Sequence, residues 1–456
     1  MPQRHQGTKD HKGHKHYYLS KMKRNNLLLS LIVLITVFNG ASAQETAAAK
    51  AERMKWFKDA KLGIFIHWGV YSVNGIDESW SFYNGYISYP DYLKQLNGFT
   101  ASKYNPAEWA SLIKESGAKY AVLTSKHHDG IALWDSKASD LNVVKKSPAA
   151  RDLIGPFCSE LRKNGVKVGL YYSLLDWSNP DYPNFTKKEK KYENDSIRWK
   201  RFTEYNFTQL REIGKNFNPD LWWFDGDWEQ SAEKWKAPEI REMIMKNNPK
   251  AVINSRLQGY GDYATPEQGL PLTRPAEKYW ELCMTINDSW GYQQNDRNFK
   301  SAKQIIKIFS ECLSNGGNML LDIGPKPDGT IPAEDANVLK TLGIWTKKHA
   351  EAIYGTEGGL PGGYFHGPST ISSDSTMLYL FFPGNPGGEV MLEGVKNKIA
   401  RIYVVGNGTK LEFKEYLRPY WSSNSGVVFI QVPENVLDEN MTVLAVVLDG
   451  KLKIQK

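Results

Sequence analysis

The chain is poor in cysteine. Its 456 residues include only Cys158, Cys283 and Cys312, which lie far apart and form no CxxC pair. An odd number at such spacing argues against a disulfide framework and against a cysteine-rich zinc site. No apolar run reaches the ~18–20 residues that a membrane span requires. A composition of 41% hydrophobic and 24% charged residues excludes disorder and coiled coils as the main architecture and indicates two to three globular domains.

A strong excess of one charge is also missing once the N-terminus is set aside. Residues 1–43 hold seven basic residues and one acidic residue, so the formal charge of +8 becomes +2 for the remainder. A near-neutral chain gives no reason to expect nucleic acid or an anionic lipid surface as a partner.

Within residues 1–43, a basic stretch precedes the apolar run Leu27–Phe38, and Ala41, Ser42 and Ala43 are typical of a cleavage site. This order predicts an upstream extension and a signal peptide, hence a periplasmic or secreted protein, lysosomal in a eukaryote, without a membrane span after cleavage.

Between residues 50 and 350, apolar runs rich in β-forming residues alternate with helical patterns. The runs are nearly continuous in hydrophobicity, as is typical of parallel strands covered on both faces. They are Leu62–Trp68, Tyr120–Thr124, Lys167–Ser173, Asp220–Asp225, Ala251–Ser255, Lys278–Cys283 and Asn318–Ile323. We therefore predict an α/β fold with a TIM-like (β/α)-barrel of seven or eight strands over residues 44–354. A doubly wound sheet is less favoured, because no glycine-rich phosphate loop follows the first run.

The pattern changes after Tyr354. Residues 355–363, with the sequence GTEGGLPGG, predict a glycine-rich linker. Short apolar runs separated by turn residues follow to the end of the chain. They predict a C-terminal β-sandwich domain over residues 364–456.

Polar and aromatic residues stand where five of the predicted strands end, the face on which a barrel carries its active site. They are His67 and Trp68, His127 to Asp129, Tyr171 and Tyr172, Trp222 to Asp225, and Asn254 to Arg256. Three of the five histidines outside residues 1–43 are among them, which indicates a functional role. Adjacent histidines on a strand point to opposite faces, and no other ligand stands at a suitable spacing, so we expect no metal and no cofactor.

Asp225 is the strongest candidate for a catalytic residue, because it ends a buried run and is followed by Gly226, which allows close approach of a ligand. Its expected partner is a second carboxylate. Glu267 lies in a predicted loop near aromatic residues, where a carboxyl group can serve as a general acid. Glu281 lies in a predicted strand and is an alternative, although it could equally be a buried partner of Arg256.

At this point the sequence resembles family 29 of the glycoside hydrolases, the α-L-fucosidases. The resemblance covers residues ~50–350, and the order of domains extends it to the C-terminus. Six stretches carry it in order: WFKDAKLGIFIHWGVYSV, KYAVLTSKHHDGIALWDS, KVGLYYSLLDW, PDLWWFDGDW, KYWELCMTINDSWGY and NGGNMLLDIGPKPDGTIP. It implies an exo-acting, retaining α-L-fucosidase that removes terminal α-L-fucose from fucosylated oligosaccharides or glycoproteins by double displacement. By resemblance Asp225 is the nucleophile, and Glu267 is favoured over Glu281 as general acid/base.

The same resemblance implies the residues that bind fucose. They are His67, His127, His128, Tyr171 and Arg256, with Trp223 and Trp290 as aromatic members. The family often has adjacent Glu and Trp after the first strand, whereas this chain has Glu78, Ser79 and Trp80. Since one intervening residue can turn a side chain out of the pocket, Glu78 and Trp80 are the weaker candidates.

Two other functions stay open on the sequence. One is a different retaining glycosidase on the same barrel, such as an α-galactosidase. The other is a fucose-binding lectin that keeps the pocket without the chemistry, although both carboxylates are present. The sequence gives neither the linkage preference nor the oligomeric state.

Overall fold

The structure is a computed structural model that describes residues 45–416, 420–421 and 425–455. The predicted extension and signal peptide, residues 1–43, lie outside this range. Within the described residues, no helix combines the length and apolar character needed to cross a membrane.

Seven parallel strands form the main sheet, and their side chains are buried almost throughout. They are β1 (Leu62–Ile66), β2 (Tyr120–Lys126), β3 (Lys167–Ser173), β4 (Leu221–Asp225), β5 (Val252–Ile253), β6 (Glu281–Thr285) and β7 (Asn318–Ile323). Their order in the sheet is β5-β4-β3-β2-β1-β7-β6. Each strand overlaps one of the seven predicted runs, which confirms the parallel α/β sheet.

The regular strands do not close into a barrel, so this part of the prediction needs correction. β5 and β6 are the two edges, and segment 262–268 reaches both through isolated parallel bridges. Asp262 N–H donates to the Ile253 carbonyl over 2.7 Å, and Glu281 N–H donates to the Ala264 carbonyl over 2.9 Å. Pro266 lies within the segment and has no N–H to donate, which limits a regular ladder there.

Twelve α-helices in the described part of the chain connect or flank these strands. They are α1 (Ala47–Ala60), α2 (Trp80–Tyr83), α3 (Tyr89–Leu93), α4 (Pro106–Glu115), α5 (Val143–Lys146), α6 (Ile154–Lys163), α7 (Ser196–Phe217), α8 (Ala232–Trp235), α9 (Ala237–Asn247), α10 (Ala302–Ser314), α11 (Ala333–Lys348) and α12 (Ala350–Ile353). Their starts follow local capping chemistry. Asn105 accepts from two N–H groups at the start of α4, where Pro106 occupies the first turn, and Ser301 with Gln304 forms a capping box at α10.

Alternation along the strands divides the core into an inner and an outer set. Phe65, Tyr171 and Trp223 belong to the inner set, which also contains Phe57 of α1. Residues of the other parity, such as Ile64, pack in the cluster that contains the apolar faces of the helices. The inner aromatic residues form the base on which the candidate site is built.

Two antiparallel sheets follow the main sheet, consistent with the predicted C-terminal sandwich. The first has the order β12-β15-β10-β9-β8 and the second β11-β14-β13. Their strands are β8 (Glu357–Gly358), β9 (Ser369–Ile371), β10 (Met377–Phe382), β11 (Glu389–Leu392), β12 (Ile399–Val404), β13 (Phe413–Tyr416), β14 (Val427–Gln431) and β15 (Thr442–Leu448). β8 lies within the predicted linker 355–363, so this segment contributes a strand as well as a connection.

Candidate active site

A cavity of about 310 Å³ lies at the carboxyl ends of the parallel strands. Ten of the twelve predicted site residues line it: His67, Glu78, Trp80, His127, Tyr171, Trp223, Asp225, Arg256, Glu267 and Trp290. His128 and Glu281 are not among the lining residues. Phe65 and Trp228 complete the wall, and neither is a candidate on the sequence.

Asp225 and Glu267 meet at one guanidinium group. Arg256 Nη1 donates to Asp225 Oδ1 over 2.8 Å, and Arg256 Nη2 donates to Glu267 Oε2 over 2.5 Å. The arginine also lies over the Trp223 ring, 4.7 Å from its centroid. Burial opposes its charge, but the carboxylates of Asp225 and Glu267 more than offset this and raise the pKa of Arg256. The arginine therefore stays charged between two carboxylates.

Asp225 is held from three sides. It is the last residue of β4 and only 8% exposed. Besides the arginine, the Tyr171 hydroxyl donates to its Oδ2 over 2.9 Å. His128 Nε2 lies 3.6 Å from the same oxygen. Glu267, with a side chain 40% exposed, lies nearer to solvent. One carboxylate is thus fixed inside the cavity and the other stands at its mouth.

The three histidines are each fixed through Nδ1. His67 Nδ1 lies 2.6 Å from Asp322 Oδ1, and His127 Nδ1 lies 2.6 Å from Ser79 Oγ. His128 Nδ1 lies 2.6 Å from the hydroxyl of the last residue of β3. Burial lowers the pKa of all three imidazoles well below the ordinary value, so they are neutral at physiological pH. A neutral ring pinned at Nδ1 keeps Nε2 for a further hydrogen bond.

Glu78 and Trp80 both line the cavity despite the residue between them. Ser79 faces away and bonds His127, so the intervening residue gains a supporting role. Glu78 is 5% exposed and accepts from the Gly291 N–H over 2.7 Å. Burial raises the pKa of Glu78 to about 7. The Glu78 carboxyl group therefore changes its protonation state near neutral pH.

Glu281 lies below the cavity, inside the sheet. It is fully buried, and it accepts hydrogen bonds from the Tyr120 hydroxyl and, over 3.3 Å, from Trp223 Nε1. Burial raises its pKa to about 7. The predicted alternative of an ion pair between Glu281 and Arg256 is wrong, because the arginine bonds Asp225 and Glu267 instead.

Sequence reasoning missed several contributors. Asp322 lies near the end of the seventh predicted run, and a carboxylate at that position is a signal that the sequence offers. Trp228 lies in the stretch PDLWWFDGDW, three residues after Asp225. The role of Ser79 depends on a contact across the fold that no local pattern contains.

Among the described residues, no group of three or more histidine, cysteine, aspartate or glutamate side chains is arranged to hold a metal ion. Paired carboxylates, neutral imidazoles and aromatic rings around one cavity are groups that bind and cleave carbohydrate. This combination defines the class as a glycoside hydrolase.

Comparison with known proteins identifies the family. The α-L-fucosidase family model matches residues 37–351. An α-L-fucosidase of Branchiostoma floridae is 33% identical over 331 residues, 66% of this chain and 72% of that protein. A tissue α-L-fucosidase of Rattus norvegicus is 32% identical over 334 residues, 66% of this chain and 70% of that protein.

Similarity to solved structures indicates the same family. α-L-Fucosidase isoenzyme 1 from Paenibacillus thiaminolyticus has a TM-score of 0.80 at 32% identity and covers 88% of this chain and 100% of its own. A Bacteroides thetaiotaomicron family 29 α-L-fucosidase, solved as a trapped covalent intermediate, has a TM-score of 0.76 at 26% identity, covering 89% and 96%. The chain belongs to the α-L-fucosidase family, which confirms the resemblance stated from the sequence.

Proposed function

We propose that the chain is an exo-acting, retaining α-L-fucosidase that releases terminal α-L-fucose from glycans and glycoconjugates, with Asp225 as nucleophile and Glu267 as general acid/base. The observation that carries the proposal is the bonding of both carboxylates to one guanidinium, that of Arg256. A Bacteroides thetaiotaomicron relative solved as a trapped covalent intermediate supports the retaining mechanism, in which the two carboxyl groups lie about 5–5.5 Å apart.

In the first step Asp225 attacks the anomeric carbon of fucose while Glu267 gives its proton to the glycosidic oxygen. The bond to the leaving group breaks, and an ester bond forms between fucose and Asp225. Hydrogen bonds from Arg256 and Tyr171 orient the attacking carboxylate. The fixed donors need no reorganisation as charge moves.

In the second step water replaces the leaving group. Esterified Asp225 no longer carries a negative charge, so Glu267 can hold its own charge without facing a like charge nearby. Glu267 then takes a proton from the attacking water, whose oxygen forms the new bond to the anomeric carbon as the ester breaks. Two inversions at one carbon give net retention.

The cavity suits a single terminal sugar. It is closed toward the sheet by Phe65 and Tyr171, residues of the inner core, which supports an exo mode of action. Neutral His67 and His127 offer nitrogen acceptors and donors to ring hydroxyls. Phe65, Trp223 and Trp290 offer apolar faces that suit the methyl group by which fucose differs from galactose-type sugars.

Two further parts of the proposal concern fold and location. Segment 262–268, which bonds to both edges of the open sheet, is the element that positions Glu267 at the mouth of the cavity. We also propose that the chain is exported through its N-terminal signal and acts in a periplasmic or extracellular setting on fucosylated oligosaccharides or glycoproteins.

The test is hydrolysis of 4-nitrophenyl α-L-fucoside beside the α-D-galactoside, using protein that lacks residues 1–43. Fast release from the fucoside alone is expected, whereas preference for the galactoside would identify a different glycosidase. Binding of fucose without turnover of either would identify a lectin.

Rescue of variants by azide tests the roles assigned to the two carboxylates. Asp225→Gly with azide should give β-L-fucosyl azide, because azide enters the face left open by the nucleophile. Glu267→Ala should lose about 10²- to 10⁴-fold in rate, and azide should rescue it as α-L-fucosyl azide. Glu281→Ala is the matched control, and rescue of that variant instead would overturn the assignment of Glu267.

A further inference from the structure

A second, larger cavity of about 560 Å³ opens beside the candidate active site. It is formed by the connection between β3 and α7 and by the residues between β4 and α9, both of which follow the carboxyl ends of strands. Its lining includes Asn184, Tyr192, Asn194, Trp199, Gln230 and Lys234. The cavity therefore lies on the catalytic face of the sheet, and nothing in the proposed mechanism uses it.

The two cavities share a wall at consecutive residues. Trp228 lines the catalytic cavity and Glu229 lines the second one. Their Cα atoms are about 3.8 Å apart, as in any trans peptide. Trp228 is 49% exposed, and its ring is nearly parallel to that of Trp80, at 14° with centroids 6.1 Å apart. Neighbouring residues of one loop therefore line the two cavities, and the exposed Trp228 ring stands between them.

The wall of the second cavity is fixed before any ligand binds. Glu229 accepts hydrogen bonds from Asn184 Nδ2 over 2.6 Å, from Trp177 Nε1 over 3.2 Å and from the Tyr182 hydroxyl. Lys191 Nζ donates to the Trp177 carbonyl over 2.7 Å and to a second loop carbonyl over 2.9 Å. Because these bonds already order the loop, a ligand would not lose affinity to ordering it.

The residues that line the second cavity indicate which class of ligand it binds. Amide and ammonium side chains supply donors and acceptors, and Tyr192 and Trp199 supply aromatic surface. Lysine and acidic side chains are mixed, so the cavity has no strong field of one sign that would select an ion. Polar groups next to aromatic rings suit a neutral, polyhydroxylated ligand.

We propose that this second cavity is a subsite for the leaving group, binding neutral sugar units that follow fucose in the substrate. The inference rests on the proposed fucosidase function and deepens it, because it makes the enzyme selective for oligosaccharides over simple fucosides. Gln230 and Lys234 are its specificity-determining residues beside Asn194, and none of the three lines the catalytic cavity.

The experiment compares 4-nitrophenyl α-L-fucoside with a panel of fucosylated lactoses that differ in linkage. Two variants alter the subsite: the combination Asn194→Ala, Gln230→Ala and Lys234→Ala, and Gln230→Trp, which narrows the cavity. Lys340→Ala, an exposed lysine on α11, is the matched control. For the best trisaccharide, kcat/KM should fall about tenfold in both subsite variants, from the loss of one or two hydrogen bonds. The value for the nitrophenyl substrate should stay within about twofold, since a small leaving group does not extend past the shared wall.

The outcomes separate the two proposals. An unchanged kcat/KM for every trisaccharide would overturn the subsite while the fucosidase function stands. An equal fall for both kinds of substrate would also overturn it, because the variants would then act through the catalytic cavity. If the unaltered enzyme hydrolyses no fucoside at all, the proposed function fails and the subsite with it.

Discussion

The buried carboxyl group of Glu281 should make the stability of this protein fall as pH rises from about 4.5 to about 7. Burial raises its pKa from 4.5 to about 7 in the folded chain. Between these values the folded state keeps a proton that the unfolded state releases, so raising the pH favours unfolding. The difference between these two pKa values corresponds to about 3 kcal/mol at 1.36 kcal/mol per pKa unit. The full stability is present below the unfolded pKa, and the loss is complete above about pH 7.

The measurement is the free energy of unfolding of Glu281→Gln and of the unaltered protein, from denaturant titrations followed by tryptophan fluorescence. The introduced amide keeps an acceptor for Trp223 Nε1 but cannot ionise. Relative to the unaltered protein, the variant should gain about 3 kcal/mol between about pH 4.5 and about pH 7.5. Other buried carboxyls with raised pKa values, such as Glu78 and Asp335, titrate in both proteins and cancel in the difference.

Glu204→Gln is the matched control, because this carboxyl is exposed in the middle of α7. Its difference from the unaltered protein should stay constant with pH. A constant difference for Glu281→Gln as well would refute the reasoning, since it would mean that folding does not raise the pKa of Glu281.

Three further predictions concern contacts around the site and the C-terminal sheets. Asp322→Asn should lower kcat/KM for the nitrophenyl fucoside about tenfold, because an amide replaces the carboxyl group that bonds Nδ1 of His67; an unchanged kcat/KM and pH profile would remove its positioning role. Ser79→Ala should raise KM about fivefold with kcat within about twofold, since it frees Nδ1 of His127; an equal fall in kcat would contradict a binding role. Trp345→Phe loses a 2.9 Å bond from Nε1 to a backbone carbonyl before β15 and should cost about 1–2 kcal/mol in denaturant unfolding without changing kcat.

Much of the sheet could be predicted from the sequence, because buried parallel strands are continuous apolar runs. The structure has β3 and β7 at the predicted bounds, Lys167–Ser173 and Asn318–Ile323. β5 is only two residues long where five were predicted. The side chain of Asn254 explains the difference, since its Oδ1 accepts from the Phe224 N–H and its Nδ2 donates to the Phe224 carbonyl, at 2.9 and 2.8 Å. A side-chain amide thus replaces the ladder that a hydrophobicity pattern assumes.

The choice between Glu267 and Glu281 as general acid/base is harder to predict from sequence. It depends on how far along its strand a carboxyl group lies from the catalytic face. Asp225 is the last residue of β4, at the face where ligands bind. Glu281 is the first residue of β6, and its partner Tyr120 is the first residue of β2. The predicted run Lys278–Cys283 begins three residues before the strand does, which moved Glu281 toward the catalytic face. A strand boundary misplaced by three residues therefore changes how near to the catalytic face a carboxyl group is expected to lie.

The position of Glu281 also explains why a costly buried carboxyl group can serve the site without touching substrate. Its Oε1 accepts from Trp223 Nε1, and the Trp223 ring lies under the guanidinium of Arg256. The arginine in turn holds Asp225 and Glu267. Fixing the tryptophan from below thus fixes the surface against which the arginine aligns both carboxylates. An apolar residue in place of Glu281 would avoid the cost of burial but would leave the indole N–H buried without an acceptor.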